Sequence, residues 1–207
     1  MNENSVNFGL IGGKINAQTL HHMIKNGYAD NPQDTHNIDG YVIDKQLSGQ
    51  RAQVYYHPDT KHLVINHRGT KGNQDVMTDI KMMLGYKNNK RFAHGKEITD
   101  KAIKKYDTDN ITLSAHSLGS QIAQYANEKH KVHQVSLNPA ILPSDLLRKQ
   151  RSNEVIVRSE LDPISALHTS RPFKSKKNTV DIKPAGLDLL NEHSSDILKR
   201  IDGETEF

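Results

Sequence analysis

Ser117 lies where an apolar, β-branched run meets a segment of helical spacing, within the sequence ITLSAHSLGSQIAQYA. The run 111–113 suits a buried strand, and the apolar residues of 122–126 suit a helix packed on a sheet. A serine on such a corner has its hydroxyl pushed out of the fold, and small neighbours let strand and helix approach closely. The pattern predicts a nucleophile elbow, with a serine that caps the helix as the alternative.

A serine nucleophile needs an imidazole to take its proton and a carboxylate to orient that imidazole. In parallel sheets of this kind the three follow in the order serine, acid, histidine. Asp162 follows a β-rich run and precedes Pro163, which prevents the strand from continuing. His193 follows a predicted strand at 179–182 and precedes a final helix. Both residues are therefore expected at the same sheet edge as Ser117.

Other acids and another histidine compete for these two roles. The acids are Asp145, Asp181 and Asp188; Asp145 heads a helix-like segment, and Asp181 alternates within a strand. His168 also follows Asp162, but too closely for the strand that usually intervenes. Asp162 could also simply begin a turn, and His193 could be an ordinary loop histidine.

Acyl transfer through a tetrahedral intermediate also needs N–H donors for the charge on oxygen. The backbone of Leu118 directly follows the serine at a helix start, which makes it one candidate. Thr70 is the second, because it lies in the loop that ends the predicted strand 63–66. A plain strand-end turn is the alternative for Thr70.

In the second half of the chain, predicted strands alternate with predicted helices. Helices are predicted at 17–25, 75–84, about 96–106, after the elbow, and from about 194. Strands are predicted at 40–45, 52–56, 63–66, before the elbow, and at 132–137, 155–158 and 179–182. This alternation predicts an α/β fold with a mostly parallel central sheet and helices on both faces.

Six blocks in order, NHRGT, DVMTDIKMMLG, SAHSLGS, NPA, DPIS and EHSSDIL, resemble the class 3 lipases, which are α/β-hydrolases. The resemblance spans about residues 50–200. It implies a catalytic triad and an oxyanion hole made of Ser117, Asp162, His193, Thr70 and Leu118. Ala115 and Ser120 replace the family's usual glycines, and His67 stands where an aromatic residue is common.

The segment 75–84 should reveal the substrate class. On a helical wheel its apolar residues share one face, which is predicted to bind substrate through Val76, Met77, Ile80 and Met83. The alternative is a helix buried against the sheet. The resemblance implies a lid or acyl-site wall here, and flexible methionines would adapt to acyl chains.

Composition excludes several classes of protein. The 207 residues suit one domain spanning 1–207, and the absence of cysteine excludes disulfides and thiol catalysis. Histidines at 57, 62, 67, 130 and 133 lack a carboxylate cluster, so they are expected to be exposed rather than metal-bound. Neither a metal nor a cofactor is expected. The chain shows no secretory signal and no membrane-spanning run, which favours a cytoplasmic or peripheral location.

The net charge of +4 comes with basic clusters at 81–105, 148–151 and 171–177. No interleaved aromatic residues accompany them, so nucleic acid is not expected as a partner. They fit solvated faces or contact with an anionic membrane surface.

The sequence predicts a serine hydrolase of carboxylic esters, with acyl esters of glycerolipids as substrates. The alternatives are a small-ester carboxylesterase or acyltransferase with the same site, and a catalytically silent basic binding module.

Overall fold

The computed structural model of the protein describes residues 13–71 and 90–207. Its strands form one seven-stranded sheet whose spatial order is the chain order. They are β1 (Val42–Ile43), β2 (Ala52–His57), β3 (His62–His67), β4 (Ile111–His116), β5 (His133–Leu137), β6 (Glu154–Ser159) and β7 (Thr179–Ile182). The first three pair antiparallel, and the pairings from β3 to β7 are parallel.

Helices cover both faces of the sheet. They are α1 (Ala17–Gly27), α2 (Lys90–Tyr106), α3 (Gly119–His130) and α4 (Leu189–Glu192), with 3-10 turns at Pro32–Asp34, Pro143–Asp145, Ala166–His168 and Ser195–Arg200. Right-handed crossovers that add parallel strands in one direction put their helices on one face. Accordingly α2 and α3 pack together there, whereas α1 packs against Ser195–Arg200 on the other face.

Each face of the sheet has its own hydrophobic core. Val64 packs with Leu20 of α1 and Ile197 on one side, whereas Ile65 packs with Ile98 and Ala123 of α2 and α3 on the other. Neighbouring residues of β3 reach different cores because side chains alternate along a strand. Every residue of β3, β4, β5 and β6 is buried, since both faces are covered.

The prediction that the histidines at 57, 62, 67, 130 and 133 are exposed is wrong for three of them. His62, His67 and His133 are 2%, 1% and 3% exposed. These residues begin or end β3 and β5, which are covered on both sides. Both ring nitrogens of His62 are hydrogen-bonded there. Nδ1 lies 2.6 Å from the Tyr41 hydroxyl, and Nε2 lies 2.9 Å from the Thr112 hydroxyl. Burial lowers the pKa of His62 to about 4 and that of His67 also to about 4.

The predicted α/β fold, with a mostly parallel central sheet and helices on both faces, is confirmed. Two elements differ from the prediction at the end of the chain. The helix expected from about Ser194 is the 3-10 turn Ser195–Arg200, capped by the Ser194 hydroxyl, and α4 was not predicted. Four residues are too few to show a helical period. The predicted helix 75–84 lies outside the described residues.

In the described ranges 13–71 and 90–207, no helix combines the length and apolar character needed to cross a lipid bilayer.

Candidate active site

A sharp corner joins β4 to α3 at Ser117. The strand ends at His116, the helix begins at Gly119, and Ser117 between them has a φ of 55°. This left-handed conformation is uncommon for a residue with a side chain. A Cβ atom on Gly119 would collide with the carbonyl oxygen of His67, so glycine is required where the helix passes the end of β3.

The structure brings Ser117, His193 and Asp162 into one hydrogen-bonded chain. The Nε2 atom of His193 lies 2.9 Å from the Oγ atom of Ser117, and its Nδ1 atom lies 2.8 Å from Oδ1 of Asp162. Because an ionised carboxylate can only accept, Nδ1 carries the proton of the neutral imidazole. Nε2 is then free to accept the hydroxyl proton, as general-base chemistry requires.

Asp162 is fully buried in the turn that follows β6. Its carboxylate accepts the backbone N–H groups of Ile164 at 3.1 Å and Ser165 at 2.9 Å. Pro163 cannot continue the strand, so the chain turns and directs these two N–H groups back to the carboxylate. They hold Asp162 in place and satisfy oxygen lone pairs that His193 does not use.

His193 directly follows α4, and its backbone N–H donates to the carbonyl of Leu189 at 3.1 Å. The side-chain amide of Asn138, at the end of β5, donates to the carbonyls of Glu192 at 2.8 Å and Ser194 at 3.4 Å. These carbonyls flank His193, so Asn138 fastens its loop to the sheet. The block NPA contained this residue, but its role was not predicted.

Glu192 anchors the same loop from a second direction. Its buried carboxylate accepts hydrogen bonds from the Ser159 hydroxyl, from Arg200 at 2.7 Å and from the N–H of Ala185 at 3.1 Å. The bond from Arg200 holds the pKa of Glu192 down to about 2. The sequence offered one signal for this residue, its place directly before His193.

The loop after β3 runs beside the Ser117 corner. A Cβ atom on Gly69 would lie 2.9 Å from the Cβ of Ser117, so the two segments touch. Thr70 is the next residue, and no described residue accepts its backbone N–H or that of Leu118. Both predicted oxyanion donors are therefore left unused by the described chain.

Arg91 sets the orientation of this loop. Its guanidinium donates to the carbonyls of Arg68 at 2.9 Å and Gly69 at 2.7 Å. In a trans peptide the C=O and N–H groups point in opposite directions. Holding the Gly69 carbonyl therefore also fixes the direction of the Thr70 N–H.

The competing residues have other partners. Asp145 accepts a hydrogen bond from a glutamine of α3, Asp181 binds Arg158, and Asp188 caps α4. His168 is buried, with its Nε2 atom 3.2 Å from a threonine hydroxyl of β7. None of the hydrogen bonds of these four residues in the described chain involves Ser117.

The remaining predicted residues, Val76, Met77, Ile80 and Met83, lie outside the described residues. In the part of the chain that is described, no group of three or more potential ligands could hold a metal ion.

Comparisons with known proteins match one family model and several solved structures. A family model described as "Uncharacterised protein family (UPF0227)" matches residues 73–161, which is less than half of the chain and is not the class 3 lipase family. The crystal structure of Lip2 lipase from Yarrowia lipolytica is 13% identical with a TM-score of 0.49, covering 75% of this chain and 78% of that chain. No curated protein matches the sequence.

Proposed function

We propose that this protein is a serine ester hydrolase with Ser117 as its nucleophile. The observation that carries the proposal is the hydrogen-bonded chain from Ser117 through His193 to Asp162, at the left-handed corner after β4. The N–H groups of Thr70 and Leu118, which no residue of 13–71 or 90–207 accepts, support it, because acyl transfer needs such donors beside the nucleophile.

In this mechanism Ser117 attacks the ester carbonyl while His193 Nε2 takes the hydroxyl proton. Asp162 stabilises the imidazolium through the Nδ1–H bond, and the N–H groups of Thr70 and Leu118 bind the oxyanion. His193 then gives its proton to the leaving alcohol, which leaves an acyl-serine. His193 next takes a proton from a water molecule, which attacks the acyl group. When the acid is released, His193 gives that proton to the departing oxygen of Ser117.

Acyl esters of glycerolipids, cleaved in the manner of a lipase or a phospholipase A, are the proposed substrates. Four exposed leucines, which we call the apolar rim, lie close to the proposed acid and base along the chain. Leu161 directly precedes Asp162, and Leu187, Leu189 and Leu190 lie three to six residues before His193, with exposures of 39%, 88%, 49% and 58% in chain order. Exposed apolar groups beside a site fit a lipid better than a small soluble ester. The resemblance to class 3 lipases agrees with this choice.

We also propose peripheral contact with an anionic membrane surface. Lys174 and Lys176 line a cleft together with Glu160, which precedes Leu161 in the chain, and with Asp181, which binds Arg158. Leucines and lysines together favour an anionic lipid surface, through apolar burial and attraction to headgroups.

The decisive experiment is an activity panel of short esters, triacylglycerol, phospholipid and lysophospholipid. Ser117→Ala and His193→Ala should lower kcat by about 10⁴- to 10⁶-fold, because the three groups act as a unit. Asp162→Asn should lower it by about 10⁴-fold, because the wrong tautomer of His193 is then held. Thermal unfolding of each variant should show an intact fold.

Asp181→Asn is the matched control. The Asp181 carboxylate lies near the same sheet edge as Asp162, but it binds Arg158 rather than His193. It should retain parental kcat. A fluorophosphonate probe should label Ser117 in the parent protein, and a folded parent that stays unlabelled and inactive would favour the binding-module alternative. Preference for short esters over lipids would favour the carboxylesterase.

A further inference from the structure

The imidazole of His116 takes no part in the chemistry above, although it directly precedes Ser117. It is 6% exposed, and its Nε2 atom lies 2.7 Å from the backbone carbonyl oxygen of His193. A carbonyl oxygen can only accept, so Nε2 of His116 carries a proton. His116 therefore holds the main chain of the catalytic histidine, whereas Asn138 holds the neighbouring carbonyls on either side.

The other nitrogen of His116 is held by Tyr28, at the end of α1. The Tyr28 hydroxyl lies 2.6 Å from Nδ1 of His116 and packs against Gly69, where an added Cβ atom would lie 2.9 Å from it. Burial raises the pKa of Tyr28 and lowers that of His116 to about 3, so the hydroxyl keeps its proton and the imidazole stays neutral. The donors then run in one direction, from Tyr28 through His116 to His193.

We propose that Tyr28 and His116 are positioning residues that couple the loop of the oxyanion donor Thr70 to the loop of His193. This inference rests on the proposed hydrolase function. One end of the relay is the Tyr28 hydroxyl, which contacts Gly69 directly before Thr70, and the other is the carbonyl of His193. The relay fixes the donor loop and the base loop relative to each other, although they lie more than a hundred residues apart in the chain.

The neutral state of His116 matters for the charge that develops during the reaction. Its ring centroid lies 4.9 Å from that of His193, with the rings tilted by 38°. His193 becomes positive when it takes the serine proton, and a second positive imidazole at this distance would oppose that step. The two bonds of His116 suit a neutral ring, because Nδ1 accepts and Nε2 donates.

The test compares Tyr28→Phe, His116→Leu and His116→Gln on the ester that the parent cleaves best. Tyr28→Phe and His116→Leu should each lower kcat by about 10- to 100-fold with little change in KM, as expected for misplaced catalytic groups. The double variant Tyr28→Phe/His116→Leu should be no slower than His116→Leu alone, because His116→Leu already breaks the relay to which Tyr28 belongs. Glutamine can still donate to the His193 carbonyl, so His116→Gln should recover part of the lost kcat.

Tyr41→Phe is the matched control. Tyr41 makes the same kind of hydroxyl-to-Nδ1 bond, to His62 and also at 2.6 Å, at the opposite edge of the sheet. It should lower the thermal unfolding temperature about as much as Tyr28→Phe while retaining parental kcat. Parental kcat in both Tyr28→Phe and His116→Leu would overturn the relay, as would equal loss in His116→Leu and His116→Gln with additive effects in the double variant.

Amide hydrogen exchange tests the relay apart from the activity. Tyr28→Phe should speed exchange at the Gly69 amide and across 189–194, and Tyr41→Phe should not. Unchanged exchange at both places would overturn the relay even in an active enzyme. A parent that is inactive and unlabelled by the fluorophosphonate would instead refute the proposed function, and the exchange result would still decide whether Tyr28 and His116 couple the two loops.

Discussion

Ser117 adopts a left-handed backbone conformation that costs a residue with a side chain about 1–3 kcal/mol. Hydrogen bonds on both sides hold it there. Its N–H donates to Leu137 at 3.1 Å, and its carbonyl accepts from Ser120 at 3.0 Å and Ala140 at 3.1 Å. These three hydrogen bonds therefore offset the cost of the left-handed conformation, and this conformation directs the Ser117 hydroxyl toward His193.

At the same scale, Thr70 allows backbone and side-chain contributions to be separated. In the proposed mechanism its hydroxyl assists the backbone N–H at the oxyanion, and no hydrogen-bond partner for the buried Oγ1 atom is found among the described residues. Thr70→Ala should therefore lower kcat moderately, by up to about 100- to 1,000-fold, the range for one oxyanion donor. KM should change little, because charge develops in the transition state. Steady-state kinetics on a single ester measures both.

Thr70→Pro removes the N–H and should be damaging whatever the hydroxyl does. Thr70→Ser keeps both groups and is the control, with kcat near that of the parent. If folded Thr70→Ala and Thr70→Pro both turn over substrate at the parental rate, the second donor is another amide. Those of Lys71 and Gly72 would be the next candidates.

At the scale of elements, the sequence indicates those parts of the site that directly follow a strand. Ser117 and Asp162 each follow a β-rich run with a clear stop, and parallel strands bring such ends to one edge. His193 was placed by the same reasoning, although α4 before it was too short to show a pattern. Tyr28 could not be predicted, because it ends a helix in the first half of the chain and meets His116 through tertiary packing.

The buried histidines of β3 make the fold sensitive to acid. His62 and His67 have folded pKa values of about 4, below the ordinary value of 6.5. Between those values the unfolded chain binds protons that the folded chain does not, so each residue lowers the unfolding free energy by about 1.4 kcal/mol per pH unit as the pH falls. The thermal unfolding temperature should therefore fall steadily from pH 6.5 to 4.5 and be level above pH 7.

His62→Gln should reduce this pH dependence by about 1.4 kcal/mol per pH unit in calorimetry, because glutamine does not titrate while His67 and the other buried histidines remain. The control is His36→Gln, since His36 is exposed and should leave the slope unchanged. An unfolding temperature that stays constant from pH 7 to pH 5 in the parent would show that these histidines are protonated in the folded state.

At the scale of the whole molecule, the basic clusters of the sequence divide into buried and exposed groups. Arg148 binds Glu154 at 2.8 Å, and the buried Arg171 donates to the Arg148 carbonyl at 2.7 Å. These arginines serve the fold and are not available to a membrane. Lys174 and Lys176 line a cleft that also includes Glu160, the residue before Leu161, so these are the lysines whose proposed contact with a lipid surface can be tested.

Vesicle binding measures whether the apolar rim and these lysines act together. The Ser117→Ala protein should bind more tightly as phosphatidylserine content rises and more weakly with salt, as the Debye length falls from about 10 Å at 0.1 M to about 3 Å at 1 M. Lys176→Glu should weaken binding to anionic vesicles by about fivefold or more, since each basic residue contributes about 1 kcal/mol.

Leu187→Asp should weaken binding by about 10-fold or more, since burying a leucine contributes about 1.5–3 kcal/mol. Val42→Asp is the control and should bind like the parent. Val42 is exposed on β1, which lies at the opposite end of the sheet from β7. Equal binding to neutral and anionic vesicles at low salt would refute the role of the lysines, and unchanged binding of Leu187→Asp would refute that of the rim.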